Sequence, residues 1–129
     1  MAAHAAHDDY GNLIAWYPPK GCAGAEPILL SCHGDTVKPG VGIEPVLGAD
    51  GIIRSAGDTI LGADDKAGIA EVLEALRVAP VRPPIEFAVS RQEEVGLFGV
   101  KAMDFSRITA RRGFLMDNDT LDTIVIGGP

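Results

Sequence analysis

The run Ile28-Leu29-Leu30-Ser31-Cys32-His33-Gly34-Asp35 decides how the rest of the chain is read. Its apolar residues are nearly continuous until His33 and Gly34 stop them, the pattern of a strand covered on both faces rather than of one with a wet side. Leu13–Tyr17 has the same character and ends at Pro18-Pro19-Lys20-Gly21, and Ile85–Ser90 leads into Glu93-Glu94. Between the second and third of these strands lies the clearest helix, residues 66–78. There Ile69, Leu73 and Leu76 recur at helical spacing, Ala70 and Val72 join them, and Pro80 closes the run. Gly48-Ala49-Asp50-Gly51 before Ile52-Ile53-Arg54-Ser55 reads as a hairpin inside a glycine-rich connection. A shorter helical stretch passes through Leu97, Phe98, Val100 and Met103. Residues 113–116 read as a strand, 117–119 as a turn and 123–126 as a last strand. Strands and helices alternate, so the expected architecture is an α/β sandwich with a mixed sheet.

With 129 residues the chain has room for one domain with its own core and too little for two. A hydrophobic content of 47% against 22% charged residues separates it from disordered chains. The formal net charge of −7, without clusters of lysine and arginine, argues against nucleic acid and against an anionic membrane as partners. No run approaches the roughly 18 apolar residues of a membrane span. The start MAAHAAHDDY lacks the basic and then apolar pattern of a secretory signal, so a cytoplasmic setting is expected. Residues 1–10 are small and polar and read as a disordered, solvated tail, leaving 11–129 as the folded part. Cys22 and Cys32 form no Cys-x-x-Cys pattern and are read as ordinary thiols. His-Glu-x-x-His, Gly-x-Ser-x-Gly and phosphate-loop motifs are absent from the sequence.

The acids fall in unusual places. Asp35, Asp64, Asp65, Glu93, Glu94 and Asp117 all stand at expected strand ends or strand-to-helix turns, the edge of an open α/β sheet where ligands bind. Gathering carboxylates costs repulsion and desolvation, which a divalent cation relieves. His33 supplies the imidazole a zinc site usually includes, and Asp35, two residues on, lies on the same side of an extended chain. Taken singly, His33 reads as a core histidine, Asp64 as a helix N-cap, Glu93-Glu94 as a solvated pair and Asp117 as a turn residue. Their ordered combination carries more weight.

That combination is His33-Gly34-Asp35-Thr36-Val37, then Leu61-Gly62-Ala63-Asp64-Asp65-Lys66-Ala67-Gly68, then Glu93-Glu94-Val95-Gly96, then Leu115-Met116-Asp117. The series resembles the metallopeptidases that include peptidase T, the tripeptide aminopeptidase, together with carboxypeptidase G and succinyl-diaminopimelate desuccinylase. The likeness to peptidase T-like proteins runs from about Gly11 to Pro129 and takes in Gly42-Ile43-Glu44-Pro45 and Asp50-Gly51-Ile52-Ile53. It implies a mixed-sheet α/β sandwich of the zinc-dependent exopeptidase type that hydrolyses an amide bond of a short peptide. It further implies two zinc ions that share Asp64, with His33 and Asp117 completing one and Glu94 joining the other. The bond after Asp64 is then cis, Glu93 is the general base toward the attacking water, and Asp35 orients His33. Such relatives carry a later histidine for the second ion and an inserted lid domain that helps them dimerise. Against that pattern this sequence corresponds to the first part of the catalytic domain, and its second metal site lacks a histidine. A homodimer or a missing second half is the expected partner. Two other readings stay open: an inactive or partner-dependent fragment that binds one zinc or none, and a deacylase or carboxypeptidase sharing the same motifs.

Overall fold

The computed structural model describes residues 4–120 and 122–126. In chain order its elements are β1 (His4–His7), β2 (Leu13–Tyr17), β3 (Ile28–His33), β4 (Pro45–Leu47), β5 (Ile53–Ser55), α1 (Ala63–Val78), β6 (Ile85–Ser90), α2 (Phe98–Ala102), a single 3-10 turn at Phe105–Arg107, and β7 (Gly113–Leu115). The five strands other than β4 and β5 form one sheet in the order β1-β2-β6-β3-β7, while β4 and β5 form the expected hairpin. β3 runs parallel to both β6 and β7, whereas β2 is antiparallel to β6 and β1 antiparallel to β2. The sheet is mixed, as the sequence leads one to expect.

The period of two along the strands divides the core into two layers. Ala15, Cys32, Ile85 and Phe87 face α1 and pack with Val72, while Ile14 and Ala88 face the other way and meet Met103. Helix α1 therefore covers one face, and the chain following α2 covers the other. Glu86, 4% exposed on β6, fastens that second layer: its carboxylate accepts the Thr109 N–H and hydroxyl and the Ala110 N–H. Without these donors the buried charge would have no compensation.

Three expectations need correction. The solvated tail over residues 1–10 gives way, from His4 on, to strand β1. The polar turn 8–12 folds it back, because the Asp8 carboxylate accepts the N–H groups of Tyr10, Gly11 and Asn12, and the His4 ring stacks on Trp16 at 4.9 Å. Residues 1–3 lie outside the described residues. On α1 the core stripe is Ile69, Val72 and Leu76, and Leu73 turns outward with 49% exposure. Residues 123–126 form no strand. The side chains of Ile124 and Val125 instead border an open apolar groove of about 930 Å³ between α1 and β7, to which Leu30, Val72, Phe114 and Met116 also contribute. No helix among the described residues is long and apolar enough to cross a membrane.

Candidate metal centre

Because β3, β6 and β7 are parallel, their C-terminal ends lie on one edge of the sheet, and the acidic motifs follow from those ends. His33 closes β3 and is 2% exposed. Asp117 stands two residues beyond β7, and Asp64 lies in the first turn of α1. Their ligand atoms all lie within 4.8 Å of one another. His33 Nε2 is 2.9 Å from Asp64 Oδ1, so a protonated Nε2 donates to that carboxylate.

Asp64 is therefore no helix N-cap. It has non-helical dihedrals and its side chain leaves the helix for His33, while the Asp64–Asp65 peptide bond is cis. The capping contact falls to Asp65, whose Oδ1 accepts the Gly68 N–H at 3.1 Å and whose Oδ2 accepts the His33 N–H at 3.3 Å. Asp65 is buried, and burial, helped by the charge of Asp117, raises its carboxyl above the usual range against the pull of the His33, Cys32 and Gly68 donors. Burial also pushes the neighbouring Cys32 thiol up to about 12, with Asp65 adding to the effect, so that thiol is inert at neutral pH.

Asp35 has a role beyond the one its spacing suggests. Its two carboxylate oxygens accept the backbone N–H groups of Glu93 at 2.9 Å and Glu94 at 3.2 Å, so it anchors the glutamate pair to the end of β3. Toward His33 it stands at 3.6 Å from Nδ1, an ion-pair distance longer than a hydrogen bond, and Nδ1 is buried without a hydrogen-bond partner. Burial opposes protonation of His33. The hydrogen bond to Asp64 and the charges of Asp117, Asp64 and Glu93 outweigh it and hold the imidazole above its usual value.

The donors suit a divalent metal. One imidazole nitrogen and two carboxylates converge, several further carboxylates crowd around them, and His33 Nε2 faces Asp64 Oδ1 at 2.9 Å. Among the described residues the convergent group consists of His33, Asp64 and Asp117; Glu93 and Glu94 lie outside it, half-buried beside Asp35. Of the residues expected at the site, three are thus brought into one cluster and three are brought next to it. Reading the sequence missed Asp65 as a buried anchor, although an aspartate directly before the expected helix start at Lys66 is a helix-capping signal. It also missed Asp8 and Asn12, whose polar turn directly before an apolar strand is an Asx-type signature.

Residues 12–118 match the model of peptidase family M28. An uncharacterised protein of Bacillus subtilis strain 168, named YqjE, is 42% identical over 124 residues, covering 92% of this chain and 33% of its own length. The crystal structure of aminopeptidase PepT from Bacillus cereus superposes with a TM-score of 0.83 at 43% identity, over 91% of this chain and 34% of that one. A tripeptidase from Staphylococcus aureus gives the same TM-score and the same coverage at 32% identity. The chain thus spans about a third of the length of these relatives. Since the family match extends over nearly the whole sheet and every residue of the cluster, the chain belongs to peptidase family M28 and is a peptidase T-like metallopeptidase sequence.

Proposed function

We propose that the chain carries the catalytic residues of a metallo-exopeptidase acting on short peptides, in keeping with the aminopeptidase and tripeptidase it resembles. The observation that carries this reading is the convergence of His33, Asp64 and Asp117 where parallel strands end, with two half-buried glutamates beside them. In this reading His33, Asp64 and Asp117 hold one zinc ion, and Asp64 and Glu94 contribute to a second. When bound, the metal supplies Lewis acidity toward the scissile carbonyl and the attacking water. Glu93 acts as general base, taking a proton from that water and passing it to the departing amine. Burial, together with the charges of Asp117, Glu94 and Asp35 and against that of His33, keeps the Glu93 carboxyl above its ordinary value, which suits such a role. Asp35 holds the backbone of both glutamates and stands against Nδ1 of His33. On this reading residues 11–129 constitute part of a di-zinc catalytic domain.

One observation favours a narrower version. A single three-donor group forms among the described residues, and Glu94 stands outside it. This chain then holds one ion alone, and completion of the second site depends on residues from a longer or separate polypeptide. Elemental analysis for zinc, paired with tripeptide hydrolysis at added zinc, tests both versions. Two ions with turnover are expected of a complete site, and one ion without turnover selects the narrower version. Asp64→Ala is expected to abolish zinc binding, and unchanged zinc content would sink the site. Glu93→Gln is expected to keep the metal and, where hydrolysis is measured, to lose about 100-fold or more of it.

A further inference from the structure

The segment 91–99 leaves β6, presents Glu93 and Glu94, and returns into α2. Two of its non-glycine residues sit in the left-handed region, Gln92 at φ 53° and Leu97 at φ 60°, a shape that persists only when its surroundings hold it. Those surroundings lie at its two feet. Gly99 packs against the backbone of Arg91 so closely that a Cβ there would lie 2.0 Å from the Arg91 carbonyl oxygen and 2.5 Å from its nitrogen. One wholly buried side chain bonds both feet: Asn12 Oδ1 accepts the Arg91 N–H at 3.0 Å, and Asn12 Nδ2 donates to the Gly99 carbonyl at 2.9 Å. The amide can serve both only in one orientation, and Asp8 fixes that orientation. Its carboxylate, which can only accept, takes a second bond from Nδ2 at 2.8 Å. The turn that contains Asp8 and Asn12 grips the segment elsewhere as well, since Arg91 Nη1 donates to the Tyr10 carbonyl and the Tyr10 hydroxyl donates to Gln92.

We propose that Asn12, oriented by Asp8, is a positioning residue for the Glu93-Glu94 segment, clamping both ends of a loop whose tip Asp35 holds. The clamp acts through backbone alone and touches neither glutamate side chain. Its importance for catalysis rests on the proposed function; its mechanical part does not.

Amide hydrogen exchange, read by NMR at Glu93, Glu94 and Gly96, tests it in wild type, Asn12→Ala, Asp8→Asn and, as a destabilised control remote from the loop, Val72→Ala. After correction for global stability, Asn12→Ala is expected to speed exchange at these amides by roughly tenfold or more, and Val72→Ala to leave them near wild type. Asp8→Asn keeps the volume but sets a carboxamide against Asn12. It is expected to act in the same direction, and it decides the question if Asn12→Ala does not fold. Exchange indistinguishable from the Val72→Ala control in both variants overturns the clamp. Zinc calorimetry on the same proteins separates the two claims. An affinity about tenfold lower in the variants supports positioning of the metal-side glutamate. Wild type that binds no zinc while exchange still responds overturns the functional reading and leaves the clamp. Tight zinc binding with unresponsive exchange does the reverse.

Discussion

Asp8 keeps a carboxylate ionised at 6% exposure because five donors converge on it: the N–H groups of Tyr10, Gly11, Asn12 and Asp104 and the side-chain amide of Asn12. Burial works against the charge, but the Asn12 side chain and then the backbone donors outweigh it, and the carboxyl is held below the usual aspartate range. A group depressed in the folded state contributes its full stabilisation above its unfolded pKa and loses it as the pH falls through the folded value. Asp8 is therefore expected to add no pH dependence to the wild-type urea midpoint near neutrality, and the midpoint to fall below about pH 4. Asp8→Ala should cost about 2–3 kcal/mol at pH 7, with a shallower acid limb to its stability curve. An unchanged midpoint at pH 7 would place the turn outside the cooperative unit. The polar turn before β2 is the only part of this duty that the sequence shows. Polar residues at turns look alike in sequence, and what distinguishes Asp8 is a donor from far along the chain, the Asp104 N–H, added to those of its own turn. His33, Asp64 and Asp117 were singled out differently: each alone reads blandly, and it is their ordered combination of motifs, through its resemblance to the metallopeptidases, that groups them, while the structure brings a strand end, a helix start and the residue after β7 together.

Helix α1 depends on how closely it can approach β7. At Gly68 a Cβ would lie 2.2 Å from Asp65 Oδ1 and 2.9 Å from both Met116 Cβ and the Met116 carbonyl oxygen. Gly68→Ala gains up to about 1 kcal/mol in helix propensity. Against that it forces the helix off Asp65 and the strand end, and a net loss of about 1–3 kcal/mol is expected. Because Met116 precedes Asp117, zinc affinity should fall together with the thermal midpoint. A midpoint that rose with zinc binding intact would mean that the contact relaxes freely. The approach also explains why the inward face of α1 was misread. Val72 and Leu73 both satisfy helical spacing from Ile69 and Leu76, so periodicity leaves the choice open, and the docking of Asp65 and Gly68 beneath the helix settles it for Val72. Strands β2, β3 and β6 were legible as apolar runs, while β1, with no apolar pattern of its own, depends on the turn that folds it onto β2.

Among the described residues no strand pairs with the outer side of β7. β7 is an edge strand, Phe114 and Leu115 are 52% and 67% exposed, and Ile124 and Val125 border the apolar groove beside them. Exposed edges with contiguous apolar residues invite association. The sedimentation coefficient of this chain is expected to rise with concentration, and Leu115→Lys should suppress the rise at little cost in folded stability. Equal association by both proteins would remove this edge as its cause. The order of the strands has a different consequence in time. β6 lies between β2 and β3 although it follows both in the chain, and β7, with Asp117 behind it, comes later still. A nascent chain leaving the ribosome therefore carries β2 and β3 with their inner edges unpaired until β6 has emerged, and cannot complete the His33–Asp64–Asp117 cluster until β7 and Asp117 have followed. On the proposed reading, a metal ion that meets the chain before that point finds only part of its donor set, so its binding is coupled to the folding of this segment.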